Sequence, residues 1–371
     1  MHVLTVNAGS TSLKLETYVL ADPLPPIDSP PAPLASAAAG SDGWNAILGP
    51  ALAGEIDLVA HRFVRVPLGL PSVIPLDEKA LASIAQVASD APLHAGPALR
   101  AAAEVRRLRP ELPQFAVSDS AFHRTLPPAA ATYAIPRELT QRGLRRIGYH
   151  GLSHEYAAHR GAALAGIDVR AARIVTLHLG GGSSLCAVRN GESTDTTMGY
   201  TPLEGIPMAT RSGSVDPGLI LRLIRMGMTP EELADMLERR SGLLGISGRS
   251  GDVRDLLAAP GDRAARLALD VLAWRVRSAL GAMIATLGGV DAIAFTGGIG
   301  EHVPSIRAAA LDGAAAWGTV LDAAANESLA GEGHISSADS RVGAFVVPAR
   351  ENWQLARCVA ATAAHLSPSS G

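Results

Sequence analysis

Apolar residues fall along this chain in short runs and helical stripes, separated by turns rich in glycine, proline and serine. Residues 2–7, HVLTVN, have the length and β-branched content of a buried strand. The turn Ala8-Gly9-Ser10-Thr11-Ser12 follows, and Leu13, Leu15 and Tyr18 alternate as a second strand. The stretch 22–54 is different in kind: Pro, Ala and Ser dominate it, which predicts a surface loop or a partly disordered insertion. It is not read as a domain boundary, because strand-like sequence resumes at Ile56–Val64. Residues 78–89 and 97–109 predict helices, and Gln114–Ser118 a strand. Residues 173–189 repeat the N-terminal layout, with strand RIVTLHL, turn Gly180-Gly181-Gly182-Ser183-Ser184 and strand LCAVR. Two copies of one layout predict a duplicated architecture. Thr229, Pro230 and Glu232 form an N-cap, first-turn proline and capping box that open a helix. Residues 263–287 predict a long buried helix, and Val290–Phe295 a buried strand that runs through Thr296-Gly297-Gly298-Ile299-Gly300 into another helix. Val346-Val347-Pro348 precedes a final helix from about residue 352.

Composition narrows the class. The 371 residues, 47% apolar and 18% charged, fit a globular protein of about two domains. A net charge of −3 argues against a nucleic-acid or anionic-membrane partner. Cys186 and Cys358 have no metal-site spacing and cannot build a disulfide framework. The N-terminus lacks the basic-then-apolar layout of a signal peptide, and no uninterrupted apolar run reaches the ~18 residues of a membrane span. The expected location is the cytoplasm. The only lysines are Lys14 and Lys79, so a lysine beside the first Gly/Ser turn draws attention.

The candidate chemistry lies in the turns. Gly/Ser hairpin turns and a strand–Gly–helix turn can cradle phosphate oxygens with backbone N–H groups. None fits the P-loop pattern G-x-x-x-x-G-K-[ST], which argues against a Walker-type ATPase. Each turn alone is more often only a tight turn; three in one chain point to a cleft between two halves. Charged residues flank the strands: Arg62, Asp119, His150 with His154, and Arg211. Each has a bland alternative as a solvated arginine, a satisfied core histidine or a helix-capping aspartate.

Six segments in order resemble the signatures of the acetate kinases: VNAGSTSLKL (6–15), SDSAFHRTLP (118–127), GYHGLSHEY (148–156), MGYTPLEGIPMATRSGSVDPG (198–218), SGLLGISG (241–248) and FTGGIGEH (295–302). The resemblance implies an α/β fold of two duplicated ribonuclease-H-like domains of the actin-like ATPase type, with an interdomain active-site cleft. It places the first domain at 1–147 plus the C-terminal helix of about 353–371, with 22–54 as a variable loop, and a nucleotide-binding domain at 148–352. It implies a homodimer that uses Mg²⁺, with Mn²⁺ as an alternative, and transfers phosphoryl between ATP and acetate to give ADP and acetyl phosphate.

Carried over residue by residue, Asn7 and Glu351 would hold the metal. Ser10, Ser12 and Lys14 would line the ATP phosphates. Arg62 and Arg211 would bracket the carboxylate and the moving phosphoryl group, and His150 would hydrogen-bond that group in the transition state. Asp119 matches the family's essential aspartate, read here as positioning rather than proton transfer, because neither substrate must lose a proton near neutral pH. His178, Leu179, Gly180, Gly181 and Gly182, then Asp252, Val253 and Arg254, then Gly298, Ile299, Gly300, Glu301 and His302, fall where the family binds nucleotide. Val64, Leu93, Tyr149 and Pro202 fall where it encloses the acetate methyl.

The pattern departs from the family at several positions. Gly181 stands where the family has Asn, His302 where it has Asn, and Tyr149 where it has Phe. The paired acids of the metal segment are reduced to Glu351, and the segments after Arg62 and at His94 also differ. The expectation is an active, divergent acetate kinase. The alternatives are a kinase of propionate or another short acid, and a catalytically degenerate nucleotide-binding regulator.

Overall fold

The computed structural model describes residues 1–9, 12–40, 43–67, 69–88 and 92–366, without the side chains of 87–88, 92–95 and 364–366. The chain divides into two compact units. Unit 1 holds residues 1–122, 150–156 and 350–371; unit 2 holds 123–149 and 157–349.

Unit 1 is built on a six-stranded sheet in the order β3-β2-β1-β4-β6-β5. Its strands are β1 (His2–Ala8), β2 (Ser12–Val19), β3 (Ala35–Gly40), β4 (Leu58–Phe63), β5 (Val73–Pro75) and β6 (Gln114–Ser118). β1, β2 and β3 form an antiparallel meander, β4 and β6 run parallel to β1, and β5 closes the edge antiparallel to β6. Unit 2 repeats this plan in the order β11-β12-β10-β7-β8-β9. Its strands are β7 (Arg173–Leu179), β8 (Ser183–Arg189), β9 (Glu192–Thr196), β10 (Ala292–Thr296), β11 (Gly333–His334) and β12 (Gly343–Val346). Again a meander of β7, β8 and β9 is followed by two strands parallel to the first, β10 and β12, and an antiparallel edge strand, β11. The duplication expected from two similar hairpins therefore extends to all six strands of each unit.

Two expectations are corrected. The stretch 22–54 is not only loop: it contains β3 and the helix Trp44–Leu52. Small side chains hid the strand, because its pairing, from Ser12 with Gly40 to Thr17 with Ala35, is made by backbone. The helix buries Leu48 and Leu52 in the core that also holds Leu4, Leu15 and Val105. Ile27 is tied in as well, its carbonyl accepting from the Trp353 indole at 2.8 Å. The long helix, Arg263–Leu287, is buried on one face only. Leu272, Val276, Leu280 and Met283 pack into the unit 2 core, while Leu267 and Trp274 stay 55% and 61% exposed. Composition alone could not show this, since arginines are interleaved along the stripe. Among the described residues no helix is long and apolar enough to cross a membrane.

Next to Arg62 on β4, His61 is buried, with Nε2 2.8 Å from the Gln114 carboxamide. Burial pushes its pKa down to about 4. Between the ordinary imidazole value near 6.5 and about 4 the unfolded chain takes up a proton that the folded chain does not, so stability falls as pH falls through that window. The expected loss between pH 7.5 and 5.0 is about 2 kcal/mol from this residue. His61→Gln should lose less stability by about that amount in denaturant titrations at the two pH values; equal losses in parent and variant would sink the assignment.

Candidate active site

In unit 1 three neighbouring parallel strands end on three of the candidate residues. Asn7 lies near the end of β1, Arg62 near the end of β4, and Asp119 directly after β6. The register sets them side by side: Val6 pairs with His61, Phe63 with Ser118, and the Asp119 N–H donates to the Phe63 carbonyl at 2.8 Å. Carboxyl ends of parallel strands are where open α/β sheets place ligands, because the connecting loops there are free to vary.

Asp119 is fully buried and satisfied from several sides. Its carboxylate accepts from Arg62 Nη2 at 2.7 Å, from the His150 N–H at 3.1 Å and from the Leu152 N–H at 3.4 Å. Its backbone carbonyl accepts from the Gly151 N–H at 2.8 Å. The helix-cap alternative and the charged-partner reading thus both hold, since Asp119 caps the helix Gly151–Leu164 while gripping Arg62. Gly151 permits the approach: a Cβ there would come 2.2 Å from the Asp119 carbonyl. His150 takes the left-handed conformation at φ 56°, uncommon for a non-glycine residue.

Glu351 opens the final helix, Glu351–Leu366, and accepts from Asn7 Nδ2 at 2.9 Å through Oε2; its Oε1 lies 4.0 Å from Arg62 Nη2. Burial alone would lower the Arg62 pKa, but the charges of Asp119 and Glu351 outweigh it and the net shift is upward. The guanidinium therefore stays charged. Arg62 Nε is buried without a partner among the described residues, a donor left for an oxygen that the chain itself does not supply.

The remaining unit 1 candidates sit nearby in sequence and sheet. Lys14, exposed on β2, pairs in register with Asn7. The Ser12 carbonyl closes the hairpin by accepting from the Gly9 N–H at 2.8 Å. Val64 is buried beyond β4. Ser10 and the Leu93 side chain lie outside the described residues.

Unit 2 gathers its candidates at the same end of its own sheet. His178 and Thr296 are register partners at the ends of β7 and β10. The turn after β7 is pinned by Ser183, whose hydroxyl accepts from the Gly180 N–H and donates to the Gly180 carbonyl, both at 3.1 Å. Gly297 has φ 78°, and a Cβ there would strike the Leu179 carbonyl at 2.7 Å, so the second turn reaches the first only because Gly297 lacks a side chain. A Cβ at Gly181, in contrast, meets nothing within 4 Å, so the missing asparagine left open space. Glu301 Oε1 accepts from the Ala349 N–H at 3.0 Å.

Arg307, which sequence reading missed, is buried and donates to the carbonyls of Gly300 and Glu301, fixing the end of that turn. Its signal was faint, a lone arginine in an alanine-rich helix. Asp252 and Arg254 bond chiefly to each other: Asp252 caps the helix Val253–Leu257, and Arg254 Nη2 donates to its carboxylate at 2.6 Å in solvent.

Tyr149 is buried, and its hydroxyl donates to the Tyr200 carbonyl at 2.6 Å. Arg211 donates to the Pro202 carbonyl at 3.0 Å and forms no ion pair among the described residues. Burial lowers its pKa, with Glu238 opposing. Arg211 is half-buried, and Glu238 acts on it only through its charge, at more than ion-pair distance, so an anion could complete it.

Asn7 and Glu351 supply oxygen donors of the kind that suit a hard cation, which keeps several waters and needs no closed protein cage. Among the described residues no cluster of three or more His, Cys, Asp or Glu offers such a cage. The donor set therefore fits Mg²⁺.

A model of the acetokinase family matches residues 48–357. An acetate kinase of Nostoc punctiforme is 42% identical over 306 residues, covering 82% of this chain and 76% of that protein. One of Rhodopseudomonas palustris is 43% identical over 306 residues, covering 82% and 77%. The crystal structure of Porphyromonas gingivalis acetate kinase superposes with a TM-score of 0.83 at 30% identity, covering 97% of this chain and 99% of that one. A propionate kinase from Francisella tularensis gives 0.84 at 31% identity, covering 96% and 98%.

Proposed function

The chain belongs to the acetokinase family, and from that premise we propose that it is an acetate kinase, moving a phosphoryl group reversibly between ATP and acetate to give ADP and acetyl phosphate. The observation that carries the reading is the cluster of Asn7, Arg62, Asp119 and Glu351, with an orphaned Arg62 Nε–H and with Arg211 forming no ion pair among the described residues. These are the groups that phosphoryl transfer to a carboxylate requires. The acceptor is already anionic, so no strong general base is needed; the obstacle is bringing it against the more anionic γ-phosphate.

Arg62 and Arg211 answer that repulsion with planar forks matched to carboxylate and phosphate oxygens. Asp119 orients Arg62 and fixes the His150 backbone, and we assign the His150 ring to hydrogen-bonding the phosphoryl oxygens. Asn7 and Glu351 would hold Mg²⁺, which when bound neutralises phosphate charge. The glycine turns at 180–182 and 297–300 receive the nucleotide, with Ser12 and Lys14 directed to its phosphates. For the methyl group our candidate contacts are Val64 of unit 1 and Tyr149 and Pro202 of unit 2. We place the enzyme in the cytoplasm, where ATP and short acids meet.

A second acid is the other reading: the Francisella tularensis protein of similar fold is a propionate kinase, and Tyr149 alters the acid pocket. A hydroxamate assay with purified protein, ATP, Mg²⁺ and acetate, propionate or butyrate in parallel decides. Acetate should give the strongest signal. A propionate maximum would move the assignment to the neighbouring activity, and no acyl phosphate despite ATP binding would favour the regulator.

We further propose a homodimer through the helix Pro217–Arg225. It is amphipathic, yet none of its residues is buried; Leu219, Leu221, Ile224 and the following Met226 are 47–65% exposed. An apolar face of this kind, in a chain whose family resemblance implies a dimer, fits a second copy. Ultracentrifugation should give a dimer for the parent and a monomer for Leu221→Glu/Ile224→Glu. A monomeric parent ends this proposal.

A further inference from the structure

Unit 2 contains a half-buried polar network that the family roles above leave unused. Arg146 Nη1 donates to three successive carbonyls, Thr196 at 2.9 Å, Thr197 at 3.2 Å and Met198 at 2.9 Å. Its Nη2 donates to Glu204 Oε1 at 2.8 Å. Glu204 Oε2 accepts from the Tyr133 hydroxyl, and that hydroxyl in turn accepts from the Tyr200 N–H at 2.8 Å. The Arg146 guanidinium also lies over the Tyr133 ring, 5.7 Å from its centre. Burial, reinforced by Glu204, pushes the Tyr133 pKa up, so the hydroxyl keeps its proton. Gly199 is required at the centre: a Cβ there would come 1.7 Å from Glu204 Oε2 and 2.2 Å from the Tyr133 hydroxyl.

The segment so fixed runs from Thr196 to Glu204, and it carries the supports of the acid-binding residues. The Gly199 carbonyl accepts from the N–H groups of Ile147 and Gly148, directly before Tyr149. The Tyr200 carbonyl accepts the Tyr149 hydroxyl, and the Pro202 carbonyl accepts Arg211 Nη1. Three backbone carbonyls of this one segment thus link the network to the proposed acid pocket, and Arg146 itself lies three residues before Tyr149 along the chain.

We infer that Arg146, Glu204 and Tyr133 are positioning residues for the carboxylic acid, setting where Tyr149 and Arg211 stand and hence which short acid is accepted. None of the three is assigned to the reacting atoms. The inference rests on the acid-kinase reading. Both terminal nitrogens of Arg146, both oxygens of Glu204 and the Tyr133 hydroxyl are engaged, and only Arg146 Nε is left without a partner among the described residues; so many shared bonds favour one arrangement, and a small displacement of a substrate-binding group is costly.

Glu204→Gln and Tyr133→Phe test it with little change of shape. Each should raise the acid KM on the order of tenfold and change the acetate/propionate kcat/KM ratio, while the ATP KM stays within about twofold. A merely structural role would lower the melting temperature and the active fraction, scaling kcat and leaving acid KM and the ratio at parental values. Two variants guard against one failing to fold. Parental acid KM and ratio in both, with an active parent enzyme, overturn the inference alone. A parent inactive with every short acid overturns the acid-kinase reading and this inference with it.

Discussion

Replacing Arg62 or Arg211 with alanine is expected to lower kcat/KM for the acid by roughly 10²–10³-fold each, as removal of a preorganised donor to developing charge does. The two residues reach this expectation from different surroundings. Arg62 is held charged by Asp119 and Glu351, with Nε left for an incoming oxygen. Arg211 is anchored by a carbonyl and forms no ion pair among the described residues, with only the more distant charge of Glu238 acting on it. Lysine should restore little at either position, because a point charge cannot reproduce the bidentate fork. Initial rates of acyl-phosphate trapping at saturating ATP measure this directly. Rates near parental in both alanine variants would remove the arginine bracket from the mechanism.

Replacing Asp119 with alanine should damage both stability and activity. The carboxylate is buried with Arg62, and removing one partner of such a pair leaves an uncompensated charge, at a cost of about 3–5 kcal/mol. The same change releases the His150 and Leu152 N–H groups, so His150 loses the restraint on its left-handed backbone. The expected kcat/KM falls at least on the order of 10²-fold. The double variant Arg62→Met/Asp119→Leu isolates the charge part of the stability loss: an apolar pair of similar volume should recover the share due to the unpaired arginine but not the share due to the released His150 and Leu152 N–H groups. Parental kcat/KM in Asp119→Ala despite its lower stability would mean that Asp119 serves the fold alone, and a proton-transfer role would instead show as an acid limb in kcat that Asp119→Asn abolishes.

The strands beside the Gly/Ser turns were legible in the sequence because apolar runs of that length, ended by glycine, leave few alternatives. The capping box at Thr229 was legible for the same local reason and is present with both hydrogen bonds. β3 was not legible: Ala and Ser carry little strand signal, and the strand exists because β2 offers an unpaired edge. The exposed face of Arg263–Leu287 was equally hidden, since periodicity marks the buried stripe without saying how far it wraps around the helix. The site divides in the same way. Asn7, Arg62, Asp119, His150 and Glu351 could be named from motifs. That Asp119 holds Arg62 and the His150 backbone together, with Glu351 reaching Asn7, could not, because these residues lie up to 344 positions apart along the chain.

The sequence by itself determined the duplicated hairpins, the glycine turns at strand ends and the identities of the charged groups, since each depends on residues within a few positions of one another. Only the tertiary structure decided which charges are paired, which donors are left over and how Arg146, Glu204 and Tyr133 brace the segment beneath Tyr149 and Arg211. The physical reason is range: turns and strand periodicity arise from local backbone sterics, whereas burial and ion pairing depend on strand order and on segments distant in sequence.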